Sequence, residues 1–180
     1  MSGIKKPTYY WDSCIYCAWL HEEEAYKEWL PAIKAIVQEN KELKNIIVTS
    51  AITLLEVLNL SEQQKKRFHD SFYYGVNVLA EVERPIVDRA KLYREWQLNT
   101  RTNSKVLQTP DAIHLATATV YDVDEFHTFD DGGKGNGCSL LKLNGSIMGD
   151  KLKICRPYIM QGLMLFNSDN PSYSEEPKNE

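Results

Sequence analysis

Cysteine is scarce in this chain, a membrane-length apolar run is missing, and cations are not in excess. The four cysteines among 180 residues (Cys14, Cys17, Cys138, Cys155) are few for this size, and a reducing compartment keeps them as thiols. Cys14-x-x-Cys17 has the spacing of redox and zinc sites, but no second Cys or His pair stands at zinc-finger spacing. Its neighbours Ile15, Tyr16, Ala18, Trp19 and Leu20 are apolar, so the two thiols read as small buried hydrophobes. No apolar run reaches the length of a membrane span, and Met1 to Lys6 has no apolar segment behind its lysines, so a cytoplasmic protein is expected. The net charge of -4 excludes a strongly basic nucleic-acid platform. It leaves room for an enzyme that meets phosphates through bound cations, which dominate the local field whatever the net charge. Internal repeats are absent too, and the glycine-rich stretch from Gly132 to Gly137 lacks the GKS or GKT of a phosphate loop. It reads as a surface loop, with Lys134 within reach of a phosphate.

What the chain does have is enough length for one hydrophobic core and a repeated strand-then-helix pattern. Tyr9-Tyr10-Trp11 reads as a strand running into Asp12-Ser13 and then a helix over Cys14 to Leu20. Glu22 to Glu39 has helical periodicity with a solvated outer face, kinked or divided at Pro31. Asn45 to Ser50 is a β-branched strand, followed by a helix over Ser50 to Leu58. Ser50 or Thr53 would open that helix, with Thr53 and Glu56 spaced as a capping box. Ser61 to Tyr74 and Pro85 to Trp96 read as helices around a strand at Val76 to Val82. Arg101 to Lys105 is a polar loop, Val123 to Phe129 a strand, and Leu152 to Cys155 a last short strand. The tail from Asn167 to Glu180 is too polar to bury much surface and reads as disordered, leaving residues 1–166 as the folded domain.

Thr109-Pro110-Asp111-Ala112-Ile113-His114-Leu115-Ala116-Thr117-Ala118 is the stretch the others surround. Thr109 is suited to cap a helix, Pro110 fits its first turn, and Asp111 lies where the helix dipole favours an anion. The residues beyond are apolar on nearly every side, so this helix should cross the interior.

The alternation predicts an α/β fold with a central parallel sheet of four to five strands and helices on both sides. In such a sheet, functional groups gather at the carboxyl ends of strands. Asp12 and Asp130 fall there, Glu56 lies on a helix leaving such an end, and Asp111 opens the central helix. Four converging carboxylates repel, each pair ~5 Å apart costing on the order of 3 kcal/mol at an effective dielectric of ~20. Hard divalent cations such as Mg²⁺ or Mn²⁺ are the natural compensation, and they serve phosphodiester hydrolysis. His114 lies one turn from Asp111 and His127 falls within a strand; both read as packing residues.

The set Asp12-Ser13, Thr53-x-x-Glu56, Thr109-x-Asp111-Ala112-x-His114-Leu115-Ala116-x-Ala118 and Thr128-x-Asp130 resembles the PIN-domain family, which includes the VapC-type toxins. The resemblance runs from about Tyr9 to Pro157. It implies metal-dependent cleavage of RNA, with Asp12, Glu56, Asp111 and Asp130 around Mg²⁺ or Mn²⁺ and Ser13 and Thr128 as supporting hydroxyls. It also implies an antitoxin protein as partner, and the amphipathic helices offer surfaces for a homodimer. Asp131 duplicates the fourth acid, and residues 132–151 form a wide insertion. A catalytically silent module that docks a partner protein at its acidic pocket is the alternative. A phospho-acceptor domain would want an acidic pair at the first strand end, which Asp12-Ser13 does not provide.

Overall fold

The computed structural model describes residues 5–100, 105–132 and 137–159. Five β-branched or aromatic runs become strands: β1 (Thr8–Trp11), β2 (Ile46–Ser50), β3 (Asn77–Ala80), β4 (Glu125–His127) and β5 (Lys153–Cys155). All pair in parallel in the order β3-β2-β1-β4-β5. Tyr10 pairs with Val48 on one side and Phe126 on the other, so β1 is the centre of the sheet. Consecutive strands step outward one way from β1 to β3, and the chain then returns to the other side of β1. The switch point therefore lies between the carboxyl ends of β1 and β4, where open α/β sheets place their ligands.

Helices cover both faces, as the parallel pairing requires. Tyr9, Trp11 and Ile47 face α1 (Ser13–His21), α2 (Leu30–Lys41) and α4 (Glu62–Tyr73). Tyr10, Val48 and Phe126 point the other way, onto α5 (Arg84–Thr100) and α6 (Thr109–Val120). Within α6, Ala112, Leu115, Ala116 and Ala118 are wholly buried, as its apolar circumference predicts. Tyr10 stacks on Phe126 at 4.9 Å, an aromatic pair contributing ~1 kcal/mol beyond its burial.

Pro31 does divide its segment: a single 3-10 turn at Glu24–Tyr26 precedes α2, and Pro31 sits in the first turn of α2, where its missing amide costs nothing. Ser61 and Gln64 form the capping box of α4. Two local readings are corrected. The helix after β2 is one turn only, α3 (Thr53–Glu56), with Ile52 before it and no side-chain cap. The Thr53 hydroxyl instead meets that of Thr49 at 2.8 Å, so the expected capping box with Glu56 does not form. At α6 the residue before the helix is Gln108, in extended backbone and without a capping side chain, so Thr109 lies inside the first turn. Arg101, Lys134 and the tail from Asn167 lie outside the described residues.

Candidate functional site

Each predicted acid reaches the carboxyl edge of the sheet by a different local device. Asp12 directly follows β1 and caps α1, its Oδ1 accepting from the Ile15 amide at 3.3 Å. The residue is only 4% exposed, and its carboxyl also accepts from the Cys14 thiol at 2.7 Å and from the Thr128 hydroxyl. Burial pushes the Asp12 carboxyl above its usual range, although His114 and these hydrogen bonds pull the other way. Thr128, just beyond β4, is completely buried; its Oγ1 accepts from the Asp130 amide at 2.9 Å and so fixes the turn that follows.

That turn presents Asp130 and not Asp131. The Asp130 Oδ1 accepts from the Gly132 amide at 2.8 Å and Oδ2 from the Leu140 amide at 3.1 Å, whereas the Asp131 side chain is exposed and lies 4.0 Å from Arg156. Gly132 is needed here: its φ is +85°, and a Cβ would meet the Ser139 side chain at 2.9 Å. Asp111 occupies the third position of α6, near the positive end of the helix dipole. Its carboxyl is nevertheless pushed up to about 6, first by burial, then by the negative charge of Asp130, with Asp12 and Glu56 adding to it and His114 opposing. Asp111 thus feels all three other acids.

Glu56 ends the single turn of α3 and is held by a chain of bonds that begins in the core. The Ser50 amide donates to the Tyr10 hydroxyl at 3.1 Å, and that hydroxyl meets His114 Nδ1 at 2.6 Å. A hydroxyl that already accepts is free to give its proton to Nδ1, so the His114 proton resides on Nε2 and is donated to Glu56 Oε2 at 2.7 Å. Burial pushes the Glu56 carboxyl up, but His114 and the Ser13 hydroxyl overcome it and hold the group below its usual range. His114 is therefore more than packing: it orients Glu56. Cys14 is likewise more than a small hydrophobe, since its sulfur joins Asp12 to the Phe129 amide at 3.0 Å. Cys138, half-buried, lies close enough to Asp111 and Asp130 that burial and their charges push its thiol up to about 11. Nothing in the local sequence marks Tyr10, Cys14 or Cys138 for this edge, because their roles depend on contacts across the sheet.

The edge is rich in oxygen donors and one carboxyl is driven toward protonation by burial and its neighbours, while Lys105, bonded to the Gly132 carbonyl, lies close by. Elsewhere, one set of ligand-type residues among the described residues is drawn closer together than the acids of this edge. Donor atoms of Glu125, His127 and Cys155 lie within 4.8 Å of one another. Its chemistry speaks against a metal. The Trp11 indole N–H donates to His127 Nδ1 at 3.2 Å, which leaves the ring proton on Nε2, where it is given to Glu125 at 3.0 Å. A cation at Nε2 would drive that proton onto Nδ1, against the indole N–H. The Cys155 thiol is pushed up to about 12 by burial and by Glu125, so it is a neutral thiol in the metal-free protein.

Comparison with known proteins agrees with the fold. The family model "PIN domain" matches residues 9–133. Three solved structures share the fold. The first is VapC20 of Mycobacterium tuberculosis, described as a sarcin-ricin loop cleaving toxin, with TM-score 0.50 and 13% identity over 69% of this chain and 91% of that one. FitAcB from Neisseria gonorrhoeae gives TM-score 0.50 and 17% identity over 83% and 97%. VapBC2 from Rickettsia felis, solved with a DNA fragment from its promoter, gives TM-score 0.57 and 10% identity over 83% and 98%. No curated protein matches the chain.

Proposed function

The chain belongs to the PIN-domain family, and from that premise we propose that it is a metal-dependent ribonuclease hydrolysing RNA phosphodiester bonds, the toxin of a toxin–antitoxin pair. One observation supports the reading: Asp12 and Asp130 follow β1 and β4 beside the sheet's switch point, and Asp111 is pushed up to about 6 by burial and by the charges of Asp130, Asp12 and Glu56. Asp12, Asp111 and Asp130 would hold Mg²⁺ or Mn²⁺, with Glu56 as the remaining acid of the site. Such a cation supplies Lewis acidity, which lowers the pKa of water and neutralises charge on the leaving oxygen.

The residues of the chain do the rest. The Cys14 thiol and Thr128 hydroxyl fix Asp12, and the amides of Gly132 and Leu140 fix Asp130, so the donors are set before a substrate arrives. Held by His114 and Ser13, Glu56 stays ionised and able to accept a proton from an attacking water. Leu55 and Leu58, close to Glu56 in the chain, are 74% and 59% exposed, an apolar rim suited to an antitoxin or to a second copy of the chain in a homodimer. Among the described residues no helix is long and apolar enough to cross a membrane. A cytoplasmic location suits the free thiols and an RNA substrate.

The test is cleavage of a structured RNA in Mn²⁺, Mg²⁺ or EDTA, beside Asp12→Asn/Asp111→Asn purified identically. Metal-dependent cleavage that vanishes in the double variant is expected. Failure to bind Mn²⁺ would favour the silent module that docks a partner protein at the acidic edge.

A further inference from the structure

Carboxylates gathered at one edge repel the phosphates of an RNA strand, and a bound divalent cation offsets that charge without dictating where the strand runs. A course for the strand requires cations of the protein beside the acids. Two are set there by one local device. Arg94 and Gln97, one turn apart on α5, both hold the segment 105–107 that leads into α6. The Gln97 side chain, only 6% exposed, donates to the Lys105 carbonyl at 2.8 Å and accepts from the Leu107 amide at 3.3 Å. Arg94 Nε donates to the Leu107 carbonyl at 3.3 Å. Leu107 is wholly buried and Val106 pairs with Gly137, so the segment is fixed from both sides.

Lys105 is thereby aimed at the turn beyond β4. Its ammonium bonds the Gly132 carbonyl, while the Gly132 amide bonds Asp130 at 2.8 Å, so a single residue lies between this cation and an acid of the edge. Arg94 lines a groove with Thr109 and Ile113, on the first turns of α6 that also carry Asp111. Glu95, its neighbour in the chain, lies 3.7 Å from Lys91, and no carboxylate among the described residues pairs with Arg94.

We propose that Lys105 and Arg94 are phosphate contacts that carry an RNA strand across the first turns of α6 to the acidic edge. Lys105 would bond the phosphate nearest the acids, its ammonium shared between the Gly132 carbonyl and a phosphate oxygen, and Arg94 would take a phosphate further along the strand. Such contacts set affinity and register and read no base. The inference rests on RNA as the substrate, as proposed above, and not on its cleavage.

The test is fluorescence anisotropy of a labelled single-stranded RNA oligonucleotide with the full-length protein in EDTA, over a range of salt concentrations. Wild type should bind saturably, its log affinity falling linearly with log salt. Lys105→Gln and Arg94→Gln should each flatten that slope by about 0.7, and the double variant by about 1.4, as the loss of one and two phosphate contacts requires. Lys105→Arg and Arg94→Lys keep the charge and should keep the slope, and so should Lys65→Gln on α4, across the sheet from α6. Absence of saturable binding to wild type would overturn the proposal, as would slopes unchanged in both glutamine variants or an equal flattening in Lys65→Gln. Because metal is excluded, binding is read apart from cleavage: the expected slopes in a protein that cuts no RNA in Mn²⁺ would support the phosphate contacts and overturn the nuclease.

Discussion

The two ends of β4 handle carboxylates in opposite ways. At its start Glu125 is surrounded by donors: Lys153 at 2.7 Å, Tyr158 at 2.6 Å and His127 at 3.0 Å. Burial alone would push its carboxyl up, yet these bonds win and hold it at about 2. Beyond the other end, Asp130 joins Asp111, Asp12 and Glu56, and the Asp111 carboxyl goes up to about 6 instead. Residue type is not what separates them. The Glu125 cluster closes on itself and contributes to stability, whereas the far edge carries repulsion that a cation would relieve.

The largest effect expected from breaking this contrast comes from Glu125→Gln. It removes the charged acceptor of the His127 and Tyr158 donors and of the half-exposed Lys153, and hydrogen bonds to a charged group contribute about 1.5–3 kcal/mol. Denaturant unfolding should show a lower midpoint with an unchanged slope. Asp111→Asn should do the reverse in EDTA, raising stability by about 1–3 kcal/mol by removing a strained charge while abolishing cleavage. Loss of stability in that variant would reassign Asp111 to a structural role.

Acid titration sharpens the contrast, because the two shifts have opposite sign. The Asp111 carboxyl is raised when folded, so its cost is present above about 6 and disappears as pH falls toward the usual 3.8. Glu125 is depressed, so its contribution is full above the usual 4.5 and is lost as pH falls toward 2. In metal-free melts, the advantage of Asp111→Asn over wild type should therefore close between about pH 6 and 4. The deficit of Glu125→Gln should hold down to about pH 4.5 and close below it. The smallest effect belongs to Cys155→Ala, expected to change stability by about 1 kcal/mol or less, with added Zn²⁺ leaving the melt of the wild type unmoved. A zinc-dependent rise that requires Cys155 would show that the Glu125 cluster is a metal site.

The strands, and the positions of Asp12 and Asp130 just beyond two of them, were legible because both are local patterns. Tyr9-Tyr10-Trp11 and Ile46-Ile47-Val48 carry their own β preference, and Asp12 and Asp130 follow strands directly or nearly so. The central helix was legible from its apolar circumference, though its cap was not, since Gln108 caps by backbone conformation alone. The length of α3 was hidden for a different reason. Leu54, Leu55 and Leu58 suggested a longer buried helix, but they stay exposed and the chain leaves helical backbone at Val57. The Tyr10–His114–Glu56 chain joins residues 104 and 58 positions apart, beyond the reach of any local signal.

The central claim is that the strained acidic edge is a cation site, and thermal unfolding with and without Mn²⁺ tests it most directly. Wild type should melt at a higher temperature in Mn²⁺ than in EDTA. Asp12→Asn/Asp111→Asn, in which the asparagine replacing Asp12 still caps α1, should melt above wild type in EDTA and show no response to Mn²⁺. An equal Mn²⁺ response in both proteins, or none in either, would contradict the account.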